Sequence, residues 1–187
     1  MIFALLLAAV AITGCGDAHS HSDKADEHEV KLQLTAYGND FEVYAEATPF
    51  VVGEKSDILA HFTLLNNFKP LTGGSVTASL IVGGKKVIET VNTPAHPGIY
   101  KFDITPETAG RGQIVFDIQS DSVKSQIIVK DVNVYTKRED AQHAAADAVV
   151  ESSNAVVFPK ETSWQVDFSP EPCRKEPFGQ VIRTMAQ

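Results

Sequence analysis

The stretch that decides the fold is Pro94–Ile118, PAHPGIYKFDITPETAGRGQIVFDI. Apolar residues occupy alternate positions in two runs: Tyr100, Phe102 and Ile104, then Ile114, Phe116 and Ile118. Alternation of this kind places one apolar set on a single face of a sheet, and that face must be buried. Residues 105–112, between the runs, contain the proline and glycines that a turn needs. The stretch therefore predicts a pair of strands, joined by a long turn, in the middle of a β core.

The same period of two extends on both sides of this stretch, through residues 30–135. The other predicted strands occupy, in chain order, residues 30–35, 41–45, 51–52, 57–65, 76–82, 86–91 and 123–135. Gly83-Gly84 predicts a hairpin turn, and a shift of the apolar phase near Lys130 and Asp131 predicts a bulge or a change of sheet. About seven to nine short strands at regular spacing indicate an all-β fold, an immunoglobulin-like antiparallel β-sandwich. The absence of a Cys–Trp–Cys pattern excludes an antibody-type domain.

Composition argues against two broad functions. The net charge is −8 and no basic patch interleaved with aromatic residues occurs, which argues against nucleic acid as a partner. The sandwich region offers His61 and His96 with scattered carboxylates, but no nucleophile elbow and no glycine-rich phosphate loop. Gly83-Gly84-Lys85 lacks the remainder of a phosphate-binding motif. The sequence therefore predicts a protein that is not an enzyme and has no catalytic residues.

The N-terminus carries an uncharged apolar run, residues 2–13, that is too short to span a bilayer. It ends in Ile12-Thr13-Gly14-Cys15, which resembles the lipobox of bacterial lipoproteins. The resemblance implies that residues 1–14 are a lipoprotein signal peptide and that Cys15 is lipidated, which would anchor the protein in the bacterial cell envelope, facing the periplasm. A buried core helix and an ordinary signal peptide are the alternatives for this run, and the usual positively charged n-region is missing.

Residues 15–29, CGDAHSHSDKADEHE, form an acidic segment with almost no apolar content. Such a segment cannot bury enough surface to offset the entropy of ordering it, so a disordered tether is predicted. His19, His21 and His28 are half of the six histidines in the chain. Imidazole and carboxylate groups together suit zinc, copper, nickel or cobalt. These histidines are candidate ligands of a weakly bound divalent metal ion, and no other cofactor is predicted; a solvated linker is the alternative.

Residues 136–155 are predicted to be a linker with one short helix. Thr136 and Glu139 have the spacing of a capping box, and an alanine-rich run follows from Lys137 to about Val150.

Two segments resemble known bacterial families. Leu71–Ala78, Pro97–Tyr100, Gly110 and the alternating strand 113–119 resemble the YtkA-type immunoglobulin-like domain, which occurs in periplasmic proteins and at the front of some metal-efflux adaptors. Residues 156–168, VVFPKETSWQVDF, resemble the entry segment of periplasmic adaptors of resistance–nodulation–division (RND) efflux pumps, the HlyD-like membrane fusion family. Phe178–Thr184 resembles the first strand that follows it in that family.

These resemblances imply a function. They identify the chain as the N-terminal part of an RND adaptor of cation or heavy-metal type, which bridges an inner-membrane pump and an outer-membrane channel in transmembrane transport. Residues 156–187 would then be the truncated start of the membrane-proximal and barrel region, an incomplete β segment that folds poorly or lies against the sandwich. The alternative is a free-standing periplasmic lipoprotein whose sandwich binds a metal ion or a partner protein.

Overall fold

The computed structural model describes residues 30–121, 123–148, 158–167 and 174–175. Within these ranges the chain forms nine strands and two helices. In chain order they are β1 Leu32–Tyr37, β2 Phe41–Ala47, β3 Phe50–Val51, β4 Ser56–Leu64, β5 Ser75–Val82, β6 Lys85–Val91, β7 Ile99–Ile104, β8 Gly110–Gln119, β9 Lys124–Tyr135, α1 Arg138–Asp147 and α2 Lys160–Ser163.

The strands form two sheets that pack face to face. The first sheet has the order β1-β2-β4-β7 and the second has the order β3-β9-β8-β5-β6. Neighbouring strands are antiparallel, apart from β3, which pairs parallel to β9 through Phe50 and Val51. The run β9-β8-β5-β6 corresponds to strands G, F, C and C′ of an immunoglobulin sandwich, and β2-β4-β7 corresponds to A, B and E. The predicted all-β, immunoglobulin-like sandwich is confirmed, with β1 added at one edge.

The stretch that decides the fold divides between the two sheets. Its two runs form β7 and β8 as predicted, but β7 pairs with β4, whereas β8 pairs with β5 and β9. The predicted strand pair is therefore wrong: the two strands face each other across the core. Phe102 of β7 and Phe116 of β8 have ring centroids 5.7 Å apart. Alternation determines which side of a strand is buried, but pairing depends on residues far away in the chain, and residues 105–109 are long enough to cross between sheets.

Two local features follow their predictions closely. Gly83 and Gly84 connect β5 to β6 with φ of 57° and 79°, the left-handed backbone that a tight hairpin of this kind requires. In β9, Lys130 pairs with Gln113 and Val132 pairs with Gly112, so Asp131 is left as the extra residue of a bulge. Its φ of 63° is also left-handed. The irregularity predicted near Lys130 and Asp131 is a bulge within one sheet.

Helix α1 begins later than predicted. Its N-cap residue is Lys137, which makes no side-chain capping hydrogen bond. Glu139 is consequently the second residue of the helix and cannot form the reciprocal pair with Thr136, so the predicted capping box is wrong. Ala141 and Ala145, four positions apart and therefore on one helix face, are buried. The helix ends at Asp147, and the rest of the predicted extent, Val149 and Val150, lies outside the described residues.

No helix in the described ranges is long and apolar enough to cross a membrane.

Candidate functional site

A ten-residue segment covers the part of the first sheet's outer face that β2 and β4 form. Residues 158–167, called the docked segment below, contain α2 and lie against β2 and β4. Strand alternation creates the surface on which this segment lies, because the core takes one side of each strand. The residues that face outward on β2 and β4 are Glu42, Tyr44, Glu46, Leu59, His61 and Thr63. The strand register sets Tyr44 opposite His61 and Glu42 opposite Thr63, which brings these side chains together.

Trp164 is the main anchor of the docked segment. Its side chain is buried, with 8% of the residue exposed, and its Nε1–H donates a hydrogen bond of 2.9 Å to Thr63 Oγ1. The ring lies over Gly98, where an added Cβ would be 2.6 Å from Trp164 Cη2 and 2.7 Å from Pro70 Cβ. Gly98 also has a φ of 83°, which disfavours any other residue. The indole fits because this position is glycine.

Two lysines attach the ends of α2 to the sandwich. Lys160 Nζ contacts Glu42 Oε1 at 2.6 Å, and Glu42 is a largely buried carboxylate that also accepts a hydrogen bond from Tyr37 Oη at 3.3 Å. At the other end of the segment, Lys69 Nζ donates to the backbone oxygens of Trp164, at 3.0 Å, and Val166, at 3.4 Å. Carbonyl groups at a helix C-terminus lack intrahelical partners, so a lysine there is stabilising.

His61 is the buried titratable group of this surface. It is 4% exposed, and its Nε2 lies 3.0 Å from Glu161 Oε1. An ionised carboxylate can only accept, so this geometry assigns the proton to Nε2. Nδ1 has no hydrogen-bond partner among the described residues. The imidazole ring is packed between Tyr44 and Trp164, with centroid separations of 5.8 Å and 6.0 Å.

Glu161 and Tyr44 show how the site affects ionisation. The pKa of Glu161 is lowered, first by a hydrogen bond from its own backbone N–H and then by its hydrogen bond with His61, against the opposing effect of burial. The pKa of Tyr44 is raised to about 12, first by burial and then by the negative charge of Glu46 and a hydrogen bond to it, with a smaller contribution from Glu161. The Glu46 carboxylate, whose Oε1 lies 3.1 Å from the Tyr44 hydroxyl oxygen, places negative charge beside this group.

Grooves run along both sides of the docked segment. One, of about 400 Å³, lies between the segment and strands β2 and β4; its lining residues are Tyr44, Glu46, Leu59, His61, Phe158, Pro159, Lys160 and Glu161. The other, of about 480 Å³, lies on the far side of Trp164 and includes Pro70, Pro97 and His96. His96 is solvent-exposed in its turn, whereas His61 is enclosed.

The sequence predicted one lipidation site and three metal ligands. Cys15, His19, His21 and His28 lie outside the described residues, so the lipid anchor and the metal tether remain predictions. Among the residues that the structure describes, no group of three or more His, Cys, Asp or Glu side chains could hold a metal ion.

The sequence predicted that residues 156–187 are an incomplete β segment that folds poorly or lies against the sandwich. The described part, residues 158–167, lies against the sandwich but contains α2 and no strand. The prediction did not connect this segment with His61. One signal could have done so: His61 and Thr63 alternate with core residues on a strand that already buries its other face. Polar groups that are buried on the outer side of such a strand need a covering layer to complete their hydrogen bonds.

No protein-family profile, curated protein or solved structure significantly matches this chain.

Proposed function

We propose that this chain is the N-terminal part of the periplasmic adaptor subunit of an RND efflux transporter of cation or heavy-metal type. In this role it is lipid-anchored at Cys15, binds an inner-membrane pump and an outer-membrane channel, and performs no bond chemistry. The sandwich acts as a spacer between the membrane anchor and the region that follows residue 167.

The docked segment is the observation that carries this proposal. Its sequence, FPKETSWQVD, is the part of the chain that resembles the adaptor entry segment, and it lies on the sandwich through Trp164, His61–Glu161 and Lys160–Glu42. Side-chain contacts at both ends of α2 hold the segment in one orientation. A spacer that positions a transport assembly needs a defined direction between its domain and the following chain, and this attachment supplies one.

Photo-cross-linking in the envelope of the source bacterium tests the proposal. A photoreactive amino acid replaces Ile88, which is 55% exposed on β6, or Lys124, which is exposed at the start of β9. We expect covalent adducts with an RND pump subunit or an outer-membrane channel, identified by mass spectrometry. The control chain carries Cys15→Ser, which removes the lipidation site; it should leave the membrane fraction and give fewer adducts.

A growth assay separates the adaptor from the alternative lipoprotein. Deletion of the gene should increase sensitivity to at least one of zinc, copper, nickel or cobalt, and the wild-type gene should restore tolerance. A free-standing lipoprotein of either kind predicts adducts with neither transport component, and one that binds a partner protein also predicts unchanged metal tolerance. That pair of results would refute the adaptor role.

A further inference from the structure

We infer that the groove between the docked segment and strands β2 and β4 binds a small amphipathic organic cation, an ammonium group that carries one aromatic ring or a short alkyl chain. The inference does not depend on the adaptor role, because both walls of the groove belong to the described part of this chain.

The size and walls of the groove suit a small molecule. Its volume of about 400 Å³ lies within the range of small-molecule sites in proteins. The sheet supplies one wall and the docked segment supplies the other, so the groove exists only while the segment is docked. Leu59 and Pro159 make parts of these walls apolar, and Tyr44 and Phe158 add aromatic surface.

The charge of the groove selects a cation. Glu46 and Glu161 both line it, and the one lysine in the lining, Lys160, has its Nζ at 2.6 Å from Glu42 Oε1. Glu42 is not part of the lining, so the positive charge of Lys160 is drawn toward a carboxylate outside the groove. Two carboxylates therefore act on a ligand there, and the raised pKa of Tyr44 has the same cause in part. An anion would be repelled, and a neutral molecule would lack the charge–charge attraction to the two carboxylates.

Aromatic and polar groups in the walls match the two parts of such a ligand. A cation near the face of an aromatic ring is attracted by about 0.5–2 kcal/mol, the larger value applying when water is excluded. His61 also lines the groove, and its imidazole ring adds a further polar side chain beside Tyr44. An ammonium head between Glu46 and Glu161, with its apolar part against Leu59 and Pro159, satisfies both kinds of surface.

Calorimetric titration of the mature protein with three probes of one shape tests the inference. The probes are 2-phenylethylammonium, the neutral 2-phenylethanol and the anionic phenylacetate. We expect measurable affinity for the ammonium compound alone. Equal affinity for the alcohol, or no heat with the ammonium probe up to millimolar concentration, would overturn the inference.

Three variants assign the binding to this groove. Glu46→Gln removes one carboxylate without touching the docked segment, since the hydrogen-bond partner of Glu46 is Tyr44, and should weaken ammonium binding about tenfold. Leu59→Arg places a guanidinium group in the groove and should abolish binding. Glu139→Gln, an equal charge change at an exposed position of α1, is the control and should leave affinity unchanged.

The fluorescence of Trp164 shows whether the segment stays docked in each variant. Unaltered binding in both Glu46→Gln and Leu59→Arg, with Trp164 still buried, would refute the assignment to this groove.

Discussion

The indole Nε1–H of Trp164 donates a hydrogen bond of 2.9 Å to Thr63 Oγ1, across a separation of 101 residues in sequence. This contact connects the docked segment to the outer face of β4, and the same ring covers Gly98. Since Trp164 is the single tryptophan of the chain, its fluorescence reports docking directly. A buried indole emits at shorter wavelength than one in water, so undocking produces a red shift.

Gly98→Ala should displace Trp164. The new Cβ would lie 2.6 Å from Trp164 Cη2, and the φ of 83° is unfavourable for alanine by about 1–2 kcal/mol. We expect a red-shifted emission and faster proteolysis of the docked segment, with the sheet signal in circular dichroism retained.

Gly53→Ala is the matched control for this substitution. Gly53 also has a positive φ, of 77°, but an added Cβ there would meet nothing within 4 Å. Gly53→Ala should introduce a similar backbone strain and leave the emission of Trp164 unchanged. Equal red shifts in the two variants would show that strain alone, and not contact with the indole, explains the effect.

Removal of Lys160 should weaken docking through Glu42. In Lys160→Met, the Glu42 side chain, 10% exposed, keeps only the hydrogen bond from Tyr37 among its described partners. Loss of a hydrogen bond to a charged group costs about 1.5–3 kcal/mol. If the docked segment leaves the sandwich, water can hydrate Glu42. The loss of stability caused by Lys160→Met therefore cannot exceed the free energy of docking.

A double-mutant cycle with Glu42→Gln, followed by urea titration of Trp164 fluorescence, should give a coupling energy of about 1 kcal/mol or more. Lys124→Met, at an exposed position, serves as the control and should change stability by about 0.5 kcal/mol or less. A coupling energy near zero would mean that the Lys160–Glu42 pair contributes nothing to docking.

Acid should release the docked segment. The pKa of Glu161 in the structure is below its ordinary value of 4.5, first through a hydrogen bond from its own backbone N–H and then through its hydrogen bond with His61. The contact with His61 exists only in the docked state, so through it the ionised form of Glu161 favours docking. The corresponding stability is fully present above 4.5 and is lost as the pH falls through the lowered pKa of the docked state. Trp164 emission should therefore shift to the red only on acidification below 4.5.

Glu161→Gln removes the titrating group and should flatten this part of the acid titration. The other groups close to Glu161 are His61, which hydrogen-bonds to it, and Tyr44, whose raised pKa lies far above this range. Superimposable titrations of the wild type and Glu161→Gln would exclude Glu161 as the origin of the transition.

Phe102→Ala should strongly reduce the free energy of unfolding, because it removes the contact between Phe102 and Phe116 at the centre of the core. Phe102 is 1% exposed and packs against Phe116 of the opposite sheet. Truncation of a buried phenylalanine costs about 3–5 kcal/mol in unfolding free energy. Ile88→Ala, at a position 55% exposed on β6, should cost far less. Urea unfolding followed by circular dichroism measures both, and similar losses would contradict the assignment of Phe102 to the core.

If the tether binds a metal ion, as the sequence predicts, zinc or copper binding should be lost in a chain that carries alanine at positions 19, 21 and 28. Neutral imidazole groups ligate these ions, so the affinity of the mature wild-type protein should also fall as the pH drops. Calorimetric titration of zinc and copper into the wild type and the variant compares their affinities. Equal affinity would remove His19, His21 and His28 as ligands.

The local alternation of apolar and polar residues was sufficient to predict the strands and several of the turns that connect them. Alternation identifies buried faces without knowledge of partners, which explains why β7, β8 and the bulge at Asp131 lie where the sequence predicts them. A glycine pair between two alternating runs likewise predicts the β5–β6 hairpin. The start of α1 was harder to predict from the sequence, because Thr136, Lys137 and Glu139 allow more than one position for the helix N-cap. The packing of Ala141 and Ala145 against the sandwich favours one of these positions.

The sequence by itself determined the class of fold, since burial of alternating faces is a local property of each strand. Only the tertiary structure decided which strands pair and what covers the outer face of β4. Phe102 and Phe116 belong to different sheets because pairing is chosen by contacts between distant segments. Trp164 meets Thr63, and Glu161 meets His61, because the chain returns to the sandwich about 100 residues later. The alternation of apolar residues along a strand cannot indicate these contacts. They depend on the fit between the Trp164 indole ring and the surface at Gly98, where a side chain would block the ring.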